Sequence, residues 1–321
     1  MLNEMRQTKL SFGARIRVFW LVMFFSLALP VTTRAAGLSN NEARKLITRV
    51  GGFELKSGAV RVRQISAVDA STMVATAEIA IAFRLEQNDQ HEWRVSEVRS
   101  GQDHWEEISF IIQAVKGELN ETSCDQPDLT NRKKAAADIS VKRARCLLAN
   151  LLGVQLPSDA VRIKSVSPLE LPLVSHQSAL VDARIEADFR ITREQGSWRL
   201  NGVRTGGRGW ADPESILSEV NEEKAARAQT EMQAIAKALE AFRAKRGFYV
   251  EAKSEAVLID FLSPDYLSHV IRLDPWRRPY QYEGTRDHFT LKSAGPDGKD
   301  NTSDDIVLDS QTRSAARVTI P

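Results

Sequence analysis

The chain repeats itself. ARKLITRVGGFELKSGAVRVRQIS at 43–66 lines up with ARCLLANLLGVQLPSDAVRIKSVS at 144–167, and AFRLEQNDQHEWRVSEVRSGQDHW at 82–105 with ADFRITREQGSWRLNGVRTGGRGW at 187–210. The last block is one residue shorter at its hairpin and keeps Phe83 against Phe189, Trp93 against Trp198 and Trp105 against Trp210. Self-similarity at about a hundred residues means duplicated domains, because solenoid repeats recur every 20–50 or so.

Each copy has the same order of elements. An opening helix is expected to end at glycine, Gly51-Gly52 in copy 1 and Gly153 in copy 2, where a left-handed cap meets no Cβ clash. Three strands follow. Ala77, Ile79, Ile81 and Phe83 alternate with Glu78 and Arg84; Ala183, Ile185, Ala187 and Phe189 alternate with Arg184, Glu186, Asp188 and Arg190. Period two with one polar face describes a sheet covered on one side. A closing helix carries Trp105, Ile108, Ile111, Ile112 and Val115, matched by Trp210, Ile216, Leu217 and Val220, and Asp212-Pro213 gives the second an N-cap and a first-turn proline. The repeated aromatics read as core residues, with a stacking platform for a base or sugar as the alternative. TGGRGW at 205–210 reads as a turn before a helix, because SGQDHW in copy 1 lacks its glycines and no Lys-Ser or Lys-Thr follows.

Charge narrows the function classes. The 321 residues carry a formal charge of +2, but Arg6, Lys9, Arg15, Arg17 and Arg34 stand against Glu4 alone at the amino terminus. Without residues 1–35 the chain holds 39 basic and 41 acidic residues. A nucleic-acid binder keeps a basic surplus on its folded part; this chain does not. Those 35 residues read as a secretory signal: basic residues, the apolar run VFWLVMFFSLALPV at 18–31, then TTRA before a cleavage site after Ala35. A run of fourteen residues falls short of the roughly 20 of a membrane-spanning helix, which favours a cleaved signal over an uncleaved anchor. The expected location is the periplasm or the exterior, with an inner-membrane anchor as the alternative. In an oxidising compartment Cys124 and Cys146, the only two cysteines, are candidates for a disulfide; two separate thiols are the other reading.

From Asn221 the pattern changes. Ala225, Ala228, Met232, Ile235, Ala236, Leu239 and Phe242 recur at helical spacing, Gly247 stops the helix, and FLSPDYL, LDPWRRPYQY, HFTLKSA and an acidic loop follow. This stretch resembles the globular domain of the type II secretion system major pseudopilin, protein G. The likeness rests on Gly247 and Tyr249; Leu262, Pro264, Tyr266 and Leu267; Asp274, Pro275, Trp276, Pro279 and Tyr280; and Ser293, Gly295, Asp297, Gly298, Asp305 and Ile306. There are departures. Arg277 stands where the family has glycine, so its turn is expected to do without left-handed freedom or to change type. The acidic loop is shorter. The continuous hydrophobic helix that runs from a prepilin cleavage site into the family's globular domain is missing: counting from Gly13, the fifth residue is Val18 rather than Glu, and both copies intervene. A regular filament subunit is therefore not expected.

The acidic loop SAGPDGKDNTSDDIVL places Asp297, Asp300, Asp304 and Asp305 close together with Lys299 as the one cation inside it. Carboxylates, Asn301, Ser303 and carbonyls beside Gly295 and Gly298 are hard oxygen donors suited to calcium; the absence of Cys and His argues against zinc or copper. The spacing is not that of an EF-hand. A solvated acidic hairpin is the alternative, since Asp, Asn and Gly are turn residues anyway. The resemblance implies calcium held by Asp297, Asp304, Asp305 and a carbonyl near Ala294, with Asp300 as a weaker ligand.

The expected architecture is α+β. It comprises a signal (1–35), two duplicated helix–antiparallel sheet–helix modules (38–120 and 121–220), a pilin-like calcium-binding domain (221–312) and a tail (313–321). No catalytic residue emerges: His91, His104, His176, His269 and His288 show no metal-ligand spacing, and no Gly-x-Ser-x-Gly elbow occurs. The expected role is binding to protein partners of a bacterial envelope, such as secretion or pilus components, with no nucleic acid and no identified small-molecule substrate. A genuine pseudopilin with an insertion and a secreted hydrolase are the alternatives.

Overall fold

Copy 1 opens with α1 (Asn40–Ile47), which buries Ala43 and Ile47. The helix stops before the expected glycines; Val50–Gly52 form a separate 3-10 turn with Gly51 and Gly52 at φ 55° and 78°. β1 (Val60–Ala67), β2 (Thr72–Gln87), β3 (Trp93–Arg99), the short β4 (Trp105–Glu107) and α2 (Ile108–Ala114) follow. Copy 2 has α3 (Val141–Leu152), β5 (Val161–Leu169), β6 (Ser178–Glu194) and β7 (Ser197–Arg204). Ser140 caps α3 by accepting from the Arg143 amide at 3.2 Å, and Gly153 ends it at φ 67°, as expected. The computed structural model describes residues 37–102, 104–115, 124, 139–169, 177–252 and 260–311. The expected signal (1–35) and tail (313–321), and most of the stretch joining the two copies, lie outside these. The described residues from Asn40 onward belong to one unit.

Both copies contribute to a single seven-stranded antiparallel sheet. Its spine is the pairing of β2 with β6 from Thr72↔Thr192 to Glu86↔Ser178. In that register Ile79 faces Ile185, its own counterpart in the repeat. Phe83 faces Val181, while its counterpart Phe189 faces Ala75. The copies are therefore related by a pseudo-two-fold axis through the Ile79–Ile185 pair. On the outer edge of β2, β1 takes the first half and β3 the second; β5 and β7 divide β6 in the same way.

Alternation holds as expected. Ala77, Ile79, Phe83, Ala183, Ile185, Ala187 and Phe189 are buried, and Arg184 and Glu186 are exposed. Glu78 departs from the pattern. It is buried on the polar face directly opposite Glu186, a like-charge pair that is unfavourable alone. Arg63 of β1 and Arg162 of β5 both reach it, and the Arg63 hydrogen bond in particular holds its carboxyl below the usual range. The repeated tryptophans divide: Trp93 is buried, but Trp105 and Trp210 are only partly so. Arg84 and Arg99 lie over the Trp105 ring at 4.8 and 5.1 Å, and Arg190 and Arg204 over Trp210 at 5.1 and 4.6 Å. The duplication thus preserved two cation–π stacks rather than two core positions.

The closing helix of copy 2 and the long helix after Asn221 are one element, α4 (Pro213–Arg246), 34 residues long. Asp212 caps it, accepting from Glu214 N, and Gly247 ends it at φ 86°. Its first half meets α2 through Val220 against Phe110 and Ala114. Its second half puts Met232, Ile235, Leu239 and Phe242 into a separate core with Tyr249, Leu262, Tyr280, Phe289 and Leu291. That core is closed by a three-stranded antiparallel sheet of β8 (Gln281–Gly284), β9 (Phe289–Ser293) and β10 (Ile306–Asp309), in the order β10-β9-β8. The fold class is α+β. Cys124 and Cys146 form a disulfide. Among the described residues no helix is long and apolar enough to cross a membrane.

Candidate functional site

Asp274 organises the turn that faces the acidic loop. It is almost fully buried, and its Oδ1 accepts from the Trp276 and Arg278 amides at 3.0 and 2.9 Å. Its Oδ2 accepts from the Ser293 hydroxyl at 2.6 Å, which fixes the start of the loop at the end of β9. Arg278 reaches the Gly295 carbonyl and, at 3.2 Å, the Pro296 carbonyl. Side chains are unwelcome here: a Cβ on Gly295 would run into the Asp304 carbonyl and one on Gly298 into the Arg278 guanidinium, and both glycines have positive φ.

Within the loop the carboxylates fall into two groups. Asp297 and Asp304 are joined through Thr302, whose hydroxyl lies 3.3 Å from Asp297 Oδ1 and 2.6 Å from Asp304 Oδ1. Asp304 Oδ2 accepts from the Asp297 amide at 3.0 Å. The Thr302 hydroxyl, with that amide, lowers the Asp304 pKa below the usual carboxylate value. Asp300 and Asp305 are joined by Lys292, whose Nζ lies 2.8 Å from Asp305 Oδ2 and 3.4 Å from Asp300 Oδ1. The Gln281 amide first, then Lys292, lowers the Asp300 pKa, and the bond to Asp305 raises that of Lys292. Ala294 is buried at the base of the loop.

A capped amphipathic helix, the Asp-Pro-Trp turn, a three-stranded sheet and an acidic loop tied to that turn are now in one place. Residues 215–309 match the family model of the Type II secretion system (T2SS), protein G. The match runs from the first turn of α4 to the last residue of β10; of the duplicated module it takes in only the closing helix of copy 2, the first part of α4, and leaves copy 1 and the strands of copy 2 outside. Comparison with curated proteins and with solved structures found no match.

In the protein G-like segment the donor chemistry suits a hard cation. Every side-chain donor in the loop is oxygen apart from Lys299 and the Asn301 amide nitrogen. Asp305 Oδ1 is buried without a hydrogen-bond partner, which leaves a charged acceptor in need of one. Among the described residues no three His, Cys, Asp or Glu side chains converge closely enough to enclose an ion. Lys292 draws Asp300 and Asp305 to one side, while Thr302 and the loop amides hold Asp297 and Asp304 on the other. Occupancy by calcium would have to turn Asp297 and Asp304 toward Asp305.

The same segment is docked on copy 1. Arg277 keeps the turn's left-handed conformation at φ 68°, contrary to the expectation that arginine would change it, and its guanidinium pairs with buried Glu97 of β3. Lys224 Nζ lies 2.6 Å from Glu106 Oε1, and Arg227 reaches Glu107 Oε2 at 2.7 Å. Trp276 Nε1 donates to Asn221 Oδ1 at 3.0 Å. The counterparts of Glu97, Glu106 and Glu107 in copy 2 are Gly202, Ala211 and Asp212. Sequence reasoning passed over these glutamates, although the difference between the copies was the signal that could have found them.

Proposed function

We propose that this chain is an exported cell-envelope protein that acts by binding other proteins of a type II secretion or pilus assembly, not by catalysis. The observation that carries this is the protein G-like segment itself, presented on a duplicated sheet by one continuous helix and a set of ion pairs. The head has a scaffold of its own in the duplicated sheet, which suits an accessory component. Purification of the tagged chain from envelope fractions after crosslinking should recover components of the secretion machinery; recovery of none would remove the reading. Amino-terminal sequencing separates it from a genuine pseudopilin: a start near Ala36 supports the accessory role, and a methylated residue after a prepilin-type cut opposes it.

Calcium is proposed to fasten the loop, with Asp297, Asp304, Asp305 and the carbonyl near Ala294 as ligands and Asp300 at the margin. The ion would supply positive charge between carboxylates that otherwise repel and would tie the start of β10 to the end of β9. At free calcium a hundredfold above Kd such binding contributes about 2.7 kcal/mol. Asp297→Ala and Asp304→Ala should each lower the melting temperature in calcium and abolish its dependence on calcium. Equal melting of the unmodified protein in calcium and in chelator would reject the site.

A further inference from the structure

The pseudo-two-fold axis opens on the apolar side into a cavity of about 970 Å³ between the sheet and the helices α2 and α4. That is at the upper end of the roughly 300–1,000 Å³ of small-molecule sites. Both copies line it, through Ile81 and Phe83 of one and Ala187 and Phe189 of the other. Several of its apolar side chains, Ile81 and Leu217 among them, remain partly exposed, where burial would be favourable.

The lining is symmetric in its apolar part and asymmetric in its polar part. Thr205 of copy 2 satisfies its hydroxyl on the Leu152 carbonyl at 2.8 Å. Its counterpart Ser100 in copy 1 is 4% exposed, and its Oγ has no partner. Copy 1 also contributes Glu106, paired with Lys224, which is itself 4% exposed; copy 2 has Ala211 at that position. The charged residues of the lining are Glu106, Arg204, Arg208, Lys224 and Arg278. Glu106 pairs Lys224 and Asp188 pairs Arg204, while Arg208 and Arg278 bond only backbone carbonyls, which leaves a surplus of positive charge around an apolar chamber.

We infer that this cavity binds a single-chain acyl anion, with its chain along the Ile81–Ala187 floor and its anionic head toward Ser100 and Lys224. The apolar walls provide the driving force for the chain. Ser100 supplies a free hydroxyl, and Lys224 and the neighbouring arginines supply the electrostatic preference for an anion. A fatty-acid carboxylate and a lysophospholipid phosphate share this chemistry.

The test is displacement of cis-parinaric acid fluorescence from the purified chain by oleate, by 1-oleoyl-lysophosphatidate and by uncharged oleyl alcohol. The expected result is saturable displacement, at least about tenfold tighter for one of the anions than for the alcohol, and the tighter anion assigns the head. Ile81→Trp and Leu217→Trp, on different elements, narrow the chamber. Each is expected to weaken binding at least about tenfold while leaving the circular dichroism spectrum unchanged, so loss of fold in one leaves the other informative. Failure to bind parinaric acid, equal affinity for alcohol and anion, or binding indifferent to whichever tryptophan variants fold would each overturn the assignment. None of these outcomes depends on calcium or on secretion partners.

Discussion

Arg277 sets two effects against each other. A non-glycine residue in the left-handed region costs about 1–2 kcal/mol, and glycine there would avoid that. The gain is a charged contact to Glu97, which Arg84 also pairs; the Glu97 side chain is 7% exposed while that of Arg277 is 41% exposed. Hydrogen bonds to charged groups contribute about 1.5–3 kcal/mol, and exposure of the arginine moves the figure toward the lower end. The two nearly cancel. Arg277→Gly, which removes both, should therefore unfold in urea within about 1 kcal/mol of the parent. Arg277→Ala keeps the strained backbone without the contact and should be less stable than the glycine variant by about 1 kcal/mol. Equal stabilities for the two variants would mean that the turn is not strained. The residue was legible in the sequence only as a departure from a family pattern. Its partner, 180 positions away, was not legible, because an isolated Glu on a strand looks like any solvated charge.

The acidic loop is an element whose charges are arranged by the protein's own groups. Asp300 and Asp304 both have folded pKa values below the usual 3.8, for different reasons. A depressed carboxylate stabilises the folded state at pH above its unfolded value, and that contribution is lost as pH falls through the folded value. In calcium-free protein, carboxyl NMR titration should therefore place both midpoints below 3.8. Lys292→Met should raise the Asp300 midpoint and leave that of Asp304 in place, because Asp304 depends on Thr302 and the Asp297 amide. A matching rise at Asp304 would show the loop to be one coupled cluster. Strands were read well from alternation, since apolar residues at every second position have one way to face a core. The spine pairing was out of reach: β2 and β6 carry the same pattern, and nothing local says that they are neighbours. The continuity of α4 was hidden for a related reason. Val220 and Asn221 sit in a run of strong helix formers, and the change in sequence character there reflects a change of packing partner rather than a break in the helix.

At the scale of the molecule, α4 makes two cores answer to each other. Val220 belongs to the sheet side, Lys224 carries the ion pair to Glu106, and Met232, Ile235, Leu239 and Phe242 belong to the head. A helix shared in this way cannot unravel in its middle without loosening both ends, so heat should unfold residues 40–311 in one cooperative transition. Any stabilisation of the head should then reach the sheet: adding calcium should slow amide exchange in β2 and β6 as well as in β9 and β10. The coupling can be cut at one exposed position. Ala226 lies on the outer side of α4, and a helix-interior proline costs about 3 kcal/mol through a lost hydrogen bond and a ring clash. Ala226→Pro touches neither core, yet it should split the thermogram into two transitions and confine any calcium response to the head, β9 and β10 included. A single transition in that variant would mean that the contacts on the head side of the break, Arg277 to Glu97 and Arg227 to Glu107, couple head and sheet without an unbroken helix.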